Sequence, residues 1–127
     1  MKKTKTIISA FVILALVSCS TLPGNDPVVV NAEKITAVAY TTIDTFLKLE
    51  YENQALVKSK LPQVHAFAEQ LRQHAQAYLQ AARDATKAYK AAKNSGTASA
   101  LDSALNVLTD LTANAQTYST QVKNSTP

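Results

Sequence analysis

Residues 62–96 read PQVHAFAEQLRQHAQAYLQAARDATKAYKAAKNSG, a stretch bounded by a proline and a glycine with neither residue type in between. Within it Val64, Ala68, Leu71, Ala75, Tyr78, Ala82, Ala85, Tyr89 and Ala92 recur at alternating spacings of four and three. That is the period of one helical face. Alanine at alternate seam positions lets neighbouring axes approach toward the close end of the usual range of about 8–10 Å.

The same alternation extends outward on both sides. Upstream, Ile35, Ala39, Thr42, Phe46, Leu49, Asn53 and Leu56 form a stripe, and downstream Leu101, Leu105, Leu108, Leu111, Ala115, Tyr118 and Val122 form another. Pro62 is the only proline between Pro27 and Pro127, and Gly96 the only glycine after Gly24, so these two residues divide the chain into three helical segments. Asp26 or Asn31 is the candidate cap of the first helix, and Ser59 that of the second, with Pro62 tolerated in its first turn. Asn94-Ser95-Gly96 suits a left-handed glycine ending the second helix, and Thr97 or Ser99 suits the cap of the third. Connections this short force neighbours to run antiparallel. The expectation is an all-α fold, an antiparallel up-down-up three-helix bundle of helices near 31–58, 60–93 and 98–123. A rod continuing through Pro62 ranks second, because an interior proline costs about 3 kcal/mol and pushes Leu61 out of the helical region.

The N-terminus has a different character. Lys2, Lys3 and Lys5 precede an apolar run from Ile7 to Val17, followed by Ser18, Cys19 and Ser20, which is the three-part layout of a secretory signal. The run is too short to span a bilayer, which needs roughly 20 apolar residues. Leu16-Val17-Ser18-Cys19 resembles the lipobox of bacterial lipoproteins. The resemblance, confined to residues 1–20, implies cleavage between Ser18 and Cys19 and covalent lipid on the Cys19 sulfur. Ser20 after the cysteine then favours the outer membrane, facing the periplasm. Cys19 is the only cysteine, and lipidation removes a thiol that would otherwise stand unpaired in an oxidising compartment. Residues 27–127 resemble small helical lipoproteins of Gram-negative bacteria and their phages only in general character, and that likeness transfers no site residue. The domain reading is a signal peptide at 1–18, a lipidated tether at 19–27, the bundle at 28–124 and a tail at 125–127.

Cleavage alters the charge balance. Lys2, Lys3 and Lys5 are three of the 13 basic residues, so the mature chain keeps 10 against nine acids, a net of +1. The isoelectric point near 9.2 belongs mainly to the precursor, and a nucleic-acid partner argued from overall charge loses its premise.

Catalytic signatures are sparse. His65 and His74, the only histidines, are half a turn out of phase on one helix and cannot share a metal. Glu69, four residues after His65, is a candidate surface partner for it. Glu50 and Glu52 diverge by about 200° on a helix and do not form a carboxylate pair. There is no H-E-x-x-H, glycine-rich phosphate loop or G-x-S-x-G, and the sequence is read as non-enzymatic, with no cofactor beyond the lipid on Cys19.

Two features stand above this background. Arg83, Lys87, Lys90 and Lys93, with Asp84 the only acid among them, make the end of the second helix basic and fall largely on its outer face. Cations favour a helix C-terminus, and the same residues form a candidate docking patch for lipid phosphates or an acidic partner. Tyr40 and Tyr51, and likewise Tyr78 and Tyr89, are eleven residues apart and line single stripes. Tyr78 and Tyr89 are expected to fill space beside the seam alanines with their hydroxyls at the rim. The leading expectation is a lipid-anchored structural or interaction module that works with an envelope protein partner. The alternatives are a phage-type envelope accessory, for superinfection exclusion or lysis, and a carrier of an apolar ligand.

Overall fold

The computed structural model describes residues 26–127; the signal segment, the lipobox with Cys19 and most of the tether lie outside the described residues. Four helices follow: α1 (Pro27–Glu52), α2 (Gln54–Lys60), α3 (Pro62–Ala91) and α4 (Ser95–Ser125). The described residues are otherwise turns and ends, with no strand. The all-helical expectation holds, and the number of helices differs from it because the first expected helix is split in two.

Asp26 starts α1. Its carboxylate accepts the Val28 N–H at 2.8 Å, and Pro27 follows at a position where a missing N–H costs nothing. Asn53 ends the helix through competition with the backbone: its side-chain Nδ2 donates to the Leu49 carbonyl at 2.9 Å, and its own N–H is shared between the Leu49 and Glu50 carbonyls. The helix expected to run unbroken over 31–58 is therefore interrupted at Asn53. The short α2 that follows drives Val57 fully into the core.

Leu61 precedes Pro62 and leaves the helical region at φ −132° and ψ 61°, so no rod continues through the proline. The expected cap at Ser59 is not formed. Ser59 lies inside α2 and donates to the Leu56 carbonyl, while α3 begins at Pro62 without a side-chain cap. At the other end of α3 the left-handed glycine is also absent. Gly96 sits in the first turn of α4, whose cap is Asn94: its side chain accepts the Thr97 N–H at 2.9 Å, and its own N–H donates to Thr97 Oγ1 at 3.2 Å. This reciprocal pair satisfies two helix-start donors at once, which makes Thr97 the third helical residue rather than the cap.

The three long helices all pack on one another. Ion pairs from Glu50 to Arg72 and from Glu33 to Lys90 run α1 against α3 in opposite directions. Leu101, Leu105 and Leu108 of α4 sit with Ala32, Ala39, Leu79 and Ala82 at the end where α1 begins. Ile43, Phe46, Val57, Val64, Leu71, Leu111 and Val122 fill the other end. There Phe46, Phe67 and Tyr118 stack at ring separations of 5.0–6.5 Å. The tether end of the core is thus leucine packed on alanine, and the far end is aromatic.

In α4 six of the seven expected stripe residues are buried, and Tyr118 is half-buried against the same core. In α3 the buried set follows Val64, Ala68, Leu71 and Ala75, then passes to Leu79, Ala82 and Thr86, leaving Tyr78, Ala85 and Tyr89 half-buried on its flank. A straight helix drifts about 20° per heptad against a strict seven-residue repeat, and the shift after Ala75 corrects that drift. In α1 the buried set is Val29, Ala32, Thr36, Ala39, Ile43, Phe46 and Glu50, which shares only Ala39 and Phe46 with the expected stripe.

Replacing Asn94 by alanine is expected to cost about 1 kcal/mol. For a domain of this size that lowers the melting temperature by roughly 4–8 °C. Ser59→Ala should shift it by no more than about half as much, since an exposed serine in the last turn of α2 contributes within about 0.5 kcal/mol. Thermal melts of both variants check the assignment, and equal losses would contradict it.

Candidate functional site

Two charged constellations occupy opposite ends of the α1–α3 interface. The first grows from matched spacings. Glu33, Thr36, Ala37, Tyr40 and Thr41 share one face of α1, and Arg83, Thr86, Lys87 and Lys90 share one face of α3; together they line a groove of about 500 Å³. Thr36 and Thr86 form its floor. Both are buried, and each returns its hydroxyl to the carbonyl four residues back, at 2.8 and 2.7 Å, so the floor is closed and its donors are satisfied. Tyr40 stands at the edge, 55% exposed.

Charge in the groove is one-sided. Lys90 pairs with Glu33 at 2.9 Å, whereas Arg83 and Lys87 have no carboxylate within 4.0 Å among the described residues. Asp84, next to Arg83, is held by Gln80 at 2.9 Å. Three of the four residues expected to form a basic patch therefore meet α1 across this groove. Lys93 is separate: it pairs with Asp26 at 2.6 Å, and that hydrogen bond, with the Val28 N–H, holds the Asp26 carboxyl below its ordinary range and raises the lysine.

The second constellation centres on Glu50. Its side chain is 0% exposed, and it is met by His65 Nδ1 at 2.8 Å and by the Arg72 guanidinium. Arg72 also reaches Glu69 at 2.9 Å, and Glu69 lies 3.9 Å from His65 Nε2. The His65–Glu69 contact expected from the sequence is present but secondary, because the closer carboxylate is Glu50. Glu52 is exposed on the other side of the helix, as their divergence requires. Burial pushes the Glu50 carboxyl up, but the hydrogen bonds from His65 and Arg72 and the positive charge of Arg72 outweigh it and hold the group below its usual value. Arg72 is raised in turn: desolvation opposes its charge, and the contacts to Glu50 prevail.

Both ring nitrogens of His65 face carboxylates, which leaves neither turned toward a hydroxyl nucleophile. The arrangement is a clamp between two helices. His74, on another face of α3, lies 6.3 Å from the Tyr78 ring. Among the described residues no three His, Cys, Asp or Glu side chains converge as a metal site. Cys19 and Ser18 lie outside the described residues.

No family model, curated protein or solved structure matches this chain. The buried carboxylate was legible in principle: a stripe counted from Val29 by steps of three and four arrives at Glu50. Counting from Ile35 instead hides it.

The depressed Glu50 contributes stability that is complete above the ordinary carboxylate range, near pH 4.3, and is lost as pH falls through and below it. Wild-type unfolding free energy should fall between about pH 5 and pH 3. Glu50→Gln should be destabilised by about 3–5 kcal/mol at pH 7 and lose less on acidification. Denaturant titrations at the two pH values decide the point, and parallel losses in both proteins would contradict it.

Proposed function

We propose that this chain is a membrane-anchored, non-enzymatic interaction or structural module of the cell envelope, held by lipid on Cys19. The observation that carries the reading is the spacing between the Cys19 motif and the start of α1. Seven residue steps separate Cys19 from Asp26, a reach of no more than about 25 Å. A bundle on so short a leash works at the membrane surface. We take α1, α3 and α4 as the up-down-up unit, with α2 closing its far end. No helix among the described residues is long and apolar enough to cross a membrane, which leaves the anchoring task to the lipid in this reading.

The basic end supports the same view. Asp26, where the tether enters, is tied to Lys93, so the cationic end of α3 sits beside the start of α1. Away from it, Tyr51 on α1 and Val107 on α4 offer exposed apolar side chains for a protein partner.

Mass spectrometry of the mature N-terminus with membrane fractionation tests the reading. The wild-type chain should begin at an acylated Cys19 and stay with the membrane through alkaline washing, and Cys19→Ser should accumulate unprocessed. A correctly cleaved, membrane-bound Cys19→Ser protein would overturn the proposal.

A further inference from the structure

We infer that the groove between α1 and α3 seats the headgroup phosphate of an anionic phospholipid, so that the anchored bundle lies on its α1–α3 face with α4 turned outward. The inference rests on the anchored reading above and gives the bundle an orientation.

Charge complementarity is the first argument. Arg83 and Lys87 line the groove with no carboxylate partner among the described residues, while Lys90 is matched by Glu33 at its tether end. A guanidinium binds a phosphate through two parallel hydrogen bonds, and a lysine adds a point charge. The outer face of α4 is weakly of the opposite sign, with Asp102 and Asp110 exposed against one cation, Lys123, in its last turn. A negatively charged surface therefore attracts one face of the bundle and repels the other. Each cation near such a surface adds roughly a fivefold preference.

Reach is the second argument. The groove begins at Glu33, about 10 Å along α1 from Asp26, and ends near Tyr40, about 20 Å along it. A tether of up to about 25 Å spans that distance, so the bundle can lie down without strain on the anchor. In that pose the half-exposed Tyr40 ring meets the headgroup layer, where amphipathic aromatic side chains are favoured.

The test uses the full lipidated chain in vesicles of phosphatidylcholine, with or without phosphatidylglycerol. With Cys19 acylated, a single introduced thiol reports its own accessibility, at Ala37→Cys in the groove or Asn106→Cys on α4. A neutral maleimide should label Ala37→Cys several-fold more slowly in anionic vesicles, recovering about fivefold for each of Arg83→Gln and Lys87→Gln. Asn106→Cys should not change. Lys58→Gln with Lys60→Gln, which removes the same charge from the far end, should leave the protection intact. Equal labelling in both vesicle types, or recovery with the Lys58 and Lys60 variants, overturns the groove assignment. Protection of Ala37→Cys by polyglutamate but not by phosphatidylglycerol overturns it in favour of an acidic protein. Failure of the chain to float with either vesicle overturns the anchored reading itself, and the groove assignment with it.

Discussion

A single carboxylate without solvent contact, Glu50, sets the terms for the rest of the molecule. It sits in the last turn of α1, where the helix dipole and desolvation both oppose a negative charge. Only a register that brings His65 and Arg72 of α3 onto it satisfies the group. That same register carries Asp26 to Lys93 and Glu33 to Lys90 at the other end. Sliding α3 by one turn would leave a buried charge unpaired, a cost of several kcal/mol against a total stability of about 5–15. The exposed pairs contribute little by comparison. The groove is therefore a consequence of the clamp: Arg83, Lys87 and Lys90 face Glu33 through Thr41 because Glu50 faces Arg72.

Packing is shared unevenly along this axis. At the far end, aromatic rings of α1, α3 and α4 and Val57 of α2 form the core. At the tether end, leucines of α4 fill against fully buried alanines of α1 and α3. The alanines there contribute little side-chain volume to the seam between α1 and α3. Thr36 and Thr86 are buried on the same flank, each hydroxyl satisfied by the carbonyl four residues back on its own helix. The result is a shallow, polar-floored groove in place of a leucine seam.

Much of this was legible in the residues and some was not, for identifiable reasons. The α4 stripe is legible because leucine at successive seam sites leaves no ambiguity of phase, and only Tyr118 among its positions is half-buried rather than buried. The α1 stripe was rotated because Ile35, Thr42 and Leu49 are as apolar as the buried set, and a charged Glu50 argues against its own burial until its partners are known. Asn53 fits the seam by spacing, although its side chain competes for a backbone carbonyl and stops the helix. Gly96 drew the turn toward a left-handed ending, whereas the Asn94–Thr97 box decided where α4 begins. The basic patch was found from composition alone. That it faces Thr36 and Tyr40 across a groove depends on interhelical register, which no single stripe encodes.

A double-mutant cycle on Glu50 and Arg72 tests the register argument most directly. The unfolding free energies of Glu50→Ala, Arg72→Ala and the double variant give the coupling between the two positions. A clamp predicts that the double variant is more stable than the two losses together imply, by about 2 kcal/mol or more, because removing both partners leaves no unpaired buried charge. Strictly additive losses would mean that the pair does not hold α1 and α3 in register, and the account built on it would fail.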